Sequence, residues 1–378
     1  VLKKKYMRVF SAMTLVAISF GVGVPSGQAA NKTIQVYISG DTNVQDLWVK
    51  TLIPAFKAEN PGYDAKVILD LHGVHDAQET AKITAAFAMR KDAGADLIDG
   101  GFVQQLGSAG LLFKGTKALL PNLGDVGRSV LIAGQGGIPY RASAVLLAYN
   151  STNVPTPPKT LDALLSWIKS HPGKFTYNVP SGGGSGFAFV QTVVDKYLSN
   201  ADRKTLTLTA SKDLQSKWTT GLATLRGLNK YTYGQNGTYP ANNSETLKDL
   251  ATGLVDIAPV WSDMFASAEK DGSMPANIKV TQIANPPFTG GAAYLGIPRT
   301  TKNLAAARLL ANWVLTPEAQ NLIVGGTLNG MPVIPVSKLD SKLQAGLKGV
   351  DVANLRASYL SANGNDLKSA WAVSVPGK

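Results

Sequence analysis

The strongest constraint on this chain is an alternation of strand-like and helix-like hydrophobic patterns that recurs along its length. Ile34, Val36 and Ile38 alternate with polar neighbours, Ser39-Gly40-Asp41-Thr42 interrupts, and Val44, Trp48, Leu52 and Phe56 then follow at intervals of four. This reads as strand, loop, helix. Asn60-Pro61-Gly62 stops the helix, residues 67–71 read as a second strand, and a helix over about 77–91 leads into a third strand at 95–98. The same grammar returns with a strand at 174–179, helices at 187–198 and 213–228, and a strand at 255–260. Such alternation predicts an α/β fold with a layered sheet, and its return predicts two α/β lobes. A length of 378 residues suits two domains of ordinary size.

Two Pro-rich stretches mark where the chain crosses between lobes. A strand at 145–150 runs into a segment with Pro155, Pro157 and Pro158, which stiffen it without donating hydrogen bonds. Asn285-Pro286-Pro287-Phe288-Thr289-Gly290-Gly291, before a strand at 292–297, reads as the return. The expected division is a signal peptide at 1–29, one lobe from 30–148 with 296–378, and a second lobe, with the crossings, from 149–295. A helix over about 304–315 follows, then one opening at Pro317 with Thr316 as its cap.

The leader combines basic residues (Lys3, Lys4, Lys5, Arg8), an apolar run over 9–24, a break at Pro25 and small residues before a cut after Ala29 or Ala30. A start at either Val1 or Met7 fits it. The pattern predicts export, most simply to the periplasm. The sequence contains no Cys, which removes disulfides, thiolate metal chemistry and a cysteine-borne lipid anchor. Charged residues make up 16% and hydrophobic residues 44%, which excludes global disorder and a coiled coil. The formal charge of +12 falls to about +8 without the leader, a diffuse basic surface that gives no argument for nucleic acid.

Four stretches stand out: Leu52-Ile53-Pro54-Ala55-Phe56 with Asn60-Pro61-Gly62, Ala95-Asp96-Leu97-Ile98, Leu147-Ala148-Tyr149-Asn150 before Pro157-Pro158-Lys159-Thr160-Leu161-Asp162, and Thr316-Pro317-Glu318-Ala319-Gln320. They resemble the extracellular solute-binding proteins (family 1) of ABC transporters, the group with spermidine/putrescine-, iron- and sugar-binding members. The resemblance implies a periplasmic binding protein-like fold of type II, in which two lobes joined by a two-crossing hinge close on a small-molecule solute. It further implies ABC permease subunits as partners, a monomer, no cofactor and no catalytic residue of its own.

Candidate ligand residues follow from position. Asp41 and Thr42 lie at the carboxyl end of the first strand and before a helix, where open α/β sheets bind ligands; the loop can equally be a helix cap. Ser185, in Ser181-Gly182-Gly183-Gly184-Ser185-Gly186, opens a helix after a strand, without the Lys of a phosphate loop or the register of a nucleophile elbow. Trp261 and Asp263 offer an aromatic face two residues from a carboxylate, a grip for an organic cation, and resemble the polyamine-binding branch; Asp263 can instead cap a helix. Tyr149, Tyr294 and Tyr140 lie in or beside the crossings. Tyr231 and Tyr233 lack the adjacent pair of the iron-binding branch. His72 and His75, with Asp76 and Glu79 near, form a polar loop at the cleft mouth, and no metal site is assigned. The expected function is capture of a polyamine or other organic amine for an ABC importer, with a sugar or iron as alternatives of the same fold. An exported hydrolase is the rival from another class, but three His in no catalytic motif give it little support. A sensory adaptor using the same cleft would read identically.

Overall fold

A computed structural model describes residues 32–127, 135–346 and 356–376. The leader and its cleavage site lie outside the described residues. Seven strands form one sheet: β1 (Lys32–Gly40), β2 (Tyr63–Leu71), β3 (Leu97–Asp99), β4 (Ile138–Asn150), β5 (Ile257–Trp261), β6 (Ile278–Thr281) and β7 (Gly290–Gly296). Their order is β2-β1-β3-β7-β4-β5, with β6 also paired to β4. β1, β2 and β3 are parallel, and β7 runs antiparallel to both β3 and β4. The expected α/β architecture is therefore present.

β4 carries the chain from one hydrophobic core to the other. Its first part, Ile138 to Ala144, pairs with β7, whereas Val145 to Asn150 pairs with β5 and β6. Ile138, Tyr140, Ala142 and Ala144 enter a core with Ile34, Trp48, Phe56, Leu310 and Ile323. Val145 and Leu147 enter a second core with Phe175, Tyr177, Phe189, Val193 and Trp218. The sequence pattern marks only 145–150 as strand. The earlier half is disguised by Pro139 and Arg141, where the register with β7 shifts in a bulge.

The first helical stretch shows how an interval of four is met. Residues three or four apart share a face of an α-helix, but strict steps of four drift around a 3.6-residue turn. Between helices Thr42–Asp46 and Ile53–Glu59 the backbone takes a π-helical segment, Leu47–Leu52, with more residues per turn. Val44, Trp48, Leu52 and Phe56 are accordingly all buried. Thr316 caps the helix Pro317–Gly325 as expected, accepting from Ala319 N at 3.2 Å.

One expected strand is absent as a ladder. Residues 174–179 are extended, but the bridge is confined to Phe175 opposite Ile257, because their other partners are irregular: Tyr233 N donates to Phe175 O and Val179 N to Pro240 O. The helix Ser361–Ser374 packs Leu367 and Trp371 into the second core, where Trp371 Nε1 donates to Tyr177 Oη at 3.2 Å. No helix among the described residues is long and apolar enough to cross a membrane.

Candidate solute-binding site

A cavity of about 720 Å³ opens at the carboxyl ends of β1 and β3, where a parallel sheet leaves backbone groups free. Elements of both cores line it. Of the residues singled out in the sequence, Asp41, Trp261, Asp263 and Tyr294 reach this cavity, as do His72 and Asp76 of the polar loop. Thr42 is exposed on the helix it opens, Ser185 is buried behind the wall, and Tyr149 pairs with Ile257 and Lys279 inside the sheet. Tyr231 packs against the second core and Tyr233 is exposed; neither lines the cavity.

Asp41 is held at both oxygens. His72 Nδ1 lies 2.6 Å from Oδ1, and Asn243 Nδ2 donates to Oδ2 at 3.1 Å. Asn243 also links the glycine-loop candidate Ser185 to this acid: its Oδ1 accepts from Ser185 N at 3.2 Å and from Ser185 Oγ at 2.8 Å. Asn178 Oδ1 accepts from Gly186 N at 2.9 Å. The opening of helix Gly184–Asp195 therefore spends these donors on two buried amides instead of a ligand.

The glycines there are set by close approach. A Cβ on Gly186 would meet the Asn178 carbonyl oxygen at 1.9 Å, and one on Gly184 would meet the Trp261 ring at 2.7 Å. Gly186→Ala should therefore lower stability by about 1–3 kcal/mol through overpacking, read as a shifted urea midpoint with unchanged slope. An unchanged midpoint would refute that account.

Asp263 does not cap its helix. It accepts from Ser143 Oγ at 2.8 Å and lies 3.9 Å from Arg141 Nη1, tying helix Ser262–Lys270 to β4. Arg141 Nε donates to Tyr140 Oη at 2.7 Å, and Tyr140, fully buried, donates in turn to Asp99. Trp48 Nε1 also donates to Asp99, at 3.0 Å. Burial opposes the Arg141 charge, but Tyr140, Asp99 and Asp263 more than restore it, so the group stays a guanidinium. Tyr140 thus supports the cavity from behind and does not line it. Burial raises the Tyr294 hydroxyl well above its ordinary value, so it stays protonated.

The far wall carries Asp76 of the polar loop expected at the cleft mouth, and Lys368, which the sequence reading did not select. Burial pushes the Asp76 carboxyl up to about 6, against a Ser39 hydrogen bond and the Lys368 charge that pull it down, while Asp70 adds to the rise. Burial lowers the Lys368 ammonium, and Asp76 offsets part of that. His75 Nδ1 lies 2.9 Å from Asp70 Oδ1, so each of the two loop histidines pairs with its own Asp. Among the described residues, no group of three or more His, Cys, Asp and Glu is placed to hold a metal ion.

Residues 51–348 match the family model described as bacterial extracellular solute-binding protein, and the chain belongs to that family. It is 24% identical over 265 residues to Protein YnjB of Escherichia coli (strain K12), covering 67% of each. It resembles a solved structure assigned as an extracellular solute-binding protein of Bordetella parapertussis, with TM-score 0.69, 16% identity, and coverage of 92% of this chain and 99% of that one. A structure from Listeria monocytogenes assigned to a spermidine/putrescine ABC transporter gives TM-score 0.62 at 15% identity, covering 90% of this chain and 99% of that one. Family and fold are those of periplasmic binding proteins of type II.

Proposed function

We propose that this protein is the periplasmic solute receptor of an ABC importer and that its solute is a small organic amine. The observation that carries the amine is the charge of the cavity: Asp41, Asp76, Asp99 and Asp263 line it against one guanidinium, Arg141, and one ammonium, Lys368. Trp261 adds an aromatic face, worth about 0.5–2 kcal/mol to a cation. Solved structures of this fold hold iron in one protein and fructose-6-phosphate in another, so the fold does not select the solute and the cavity must.

In this reading the leader directs export and is removed, and the chain works as a monomer with membrane permease subunits. The lobes, 30–148 with 296–378 and 149–295, except that helix Ser361–Ser374 packs on the second core, close about the crossings at β4 and β7. A solute favours closure only through contacts it makes better in the closed form. Asp41 supplies such contacts from the first lobe, and Trp261 and Asp263 from the second.

A thermal-shift screen against polyamines, quaternary amines, amino acids, sugars, sugar phosphates and ferric complexes tests the reading, since a ligand of the native state raises the melting temperature. Amines should give the largest shift, and Trp261→Ala should reduce it without lowering the melting temperature of the ligand-free protein. A larger shift from a sugar, a sugar phosphate or a ferric complex would overturn the amine assignment.

A further inference from the structure

One ammonium already sits where the cavity has the chemistry to hold one. Lys368 Nζ lies 5.3 Å from the centroid of the Phe187 ring, and both residues line the cavity. Among the described residues the ammonium has no hydrogen-bond acceptor; it is served by the aromatic face and the Asp76 charge. Asp76 Oδ1 is buried without a hydrogen-bond partner, an acceptor in reserve. An aromatic face with a carboxylate is the recognition chemistry of an organic cation.

Resting on the amine reading, we infer that Phe187 and Asp76 form an ammonium subsite which Lys368 fills in the ligand-free protein, so that a solute amine enters by displacing a tethered ammonium. The two walls come from different parts of the chain, Phe187 from helix Gly184–Asp195 and Asp76 from the start of helix Asp76–Ala88. A tethered group competes at an effective concentration in the millimolar range. Apparent affinity is reduced by the fraction of protein whose subsite is open. A cation must therefore bring something besides one ammonium, and a second amine reaching Trp261 or Asp41 does so. Lys368 thus sets an affinity threshold, which a simple monoamine with no further contact meets least easily.

Isothermal titration of the purified protein with putrescine and with choline tests this. Lys368→Gln should bind both probes roughly tenfold more tightly, the gain expected from removing an internal competitor. The gain should be of similar size for the two probes, because the open fraction lowers the apparent affinity of every ligand of the subsite by the same factor. Phe187→Leu placed on Lys368→Gln should cancel the gain, and where that variant does not fold, Asp76→Asn supplies the same cancellation. Unchanged or weaker binding by Lys368→Gln overturns the displacement model while leaving the amine reading intact. Failure of both probes to bind either wild type or Lys368→Gln overturns the amine reading itself.

Discussion

Asp195→Ala is expected to destabilise the protein by about 3–5 kcal/mol, the loss that follows when one partner of a buried ion pair is removed. Asp195 is fully buried on helix Gly184–Asp195 and pairs with the Arg356 guanidinium. The same guanidinium donates from Nη2 to Thr192 Oγ1 at 2.6 Å and from Nε to Pro287 O at 2.7 Å. Tyr359 donates its hydroxyl to the other Asp195 oxygen, and burial together with Asp195 keeps that hydroxyl protonated. Gln191 accepts from Ser358 Oγ and from Tyr359 N. Removing the carboxylate leaves a largely buried cation and a buried phenol without their acceptor. The melting temperature should fall by roughly 5–10 °C, and a fall of under about 2 °C would show that the pair is not fixing this segment.

The same cluster joins stability to function, because the segment it anchors forms one wall of the cavity. Ala357, Ser358 and Tyr359 line it, and Lys368 follows on the next helix. A variant that loosens Arg356 should therefore weaken solute binding as well as folding, although no residue of the ion pair itself lines the cavity.

The fold was legible wherever burial follows a local period. The alternating Ile34, Val36 and Ile38 form β1, and the Thr316-Pro317 cap opens a helix. Legibility failed where partners from elsewhere decide the backbone: residues 174–179 bridge β5 at Phe175 alone and otherwise bond to loop residues such as Tyr233 and Pro240, and the first half of β4 is set by β7 despite Pro139. At the site, Asp41, Trp261 and Asp263 were accessible to sequence reasoning because they end strands. Asn243, Arg141 and Lys368 were not, since their meaning arises from residues far along the chain: Asn243 bridges Asp41 and Ser185, and Lys368 meets Phe187 and Asp76. The one local signal was Lys368 beside Leu367 and three residues before Trp371, both on the buried face of the helix.

Affinity for a cationic solute should fall below pH 6 and level off about tenfold lower, because the Asp76 carboxyl, raised to about 6, loses its charge there. Stability should move the other way. A carboxyl whose folded value is raised takes up its proton more readily in the native than in the unfolded chain, so its stabilising contribution is complete below the ordinary carboxylate range and is lost as pH rises through 6. Ligand-free protein at neutral pH therefore carries an ionised, partly buried Asp76 whose burial cost the Lys368 charge only partly offsets. Asp70 and Lys368 act on Asp76 directly, and the His75 and His72 side chains stand in the loop before it, paired to Asp70 and Asp41. Asp76→Asn separates its titration from theirs: it should flatten the pH dependence of putrescine binding, weaken binding near neutrality about tenfold, and raise the ligand-free melting temperature by about 2 °C. His72→Gln should leave the transition near pH 6 in place. A transition that survives Asp76→Asn and disappears with His72→Gln would assign it to the His72–Asp41 pair, and the ammonium subsite would lose its acid.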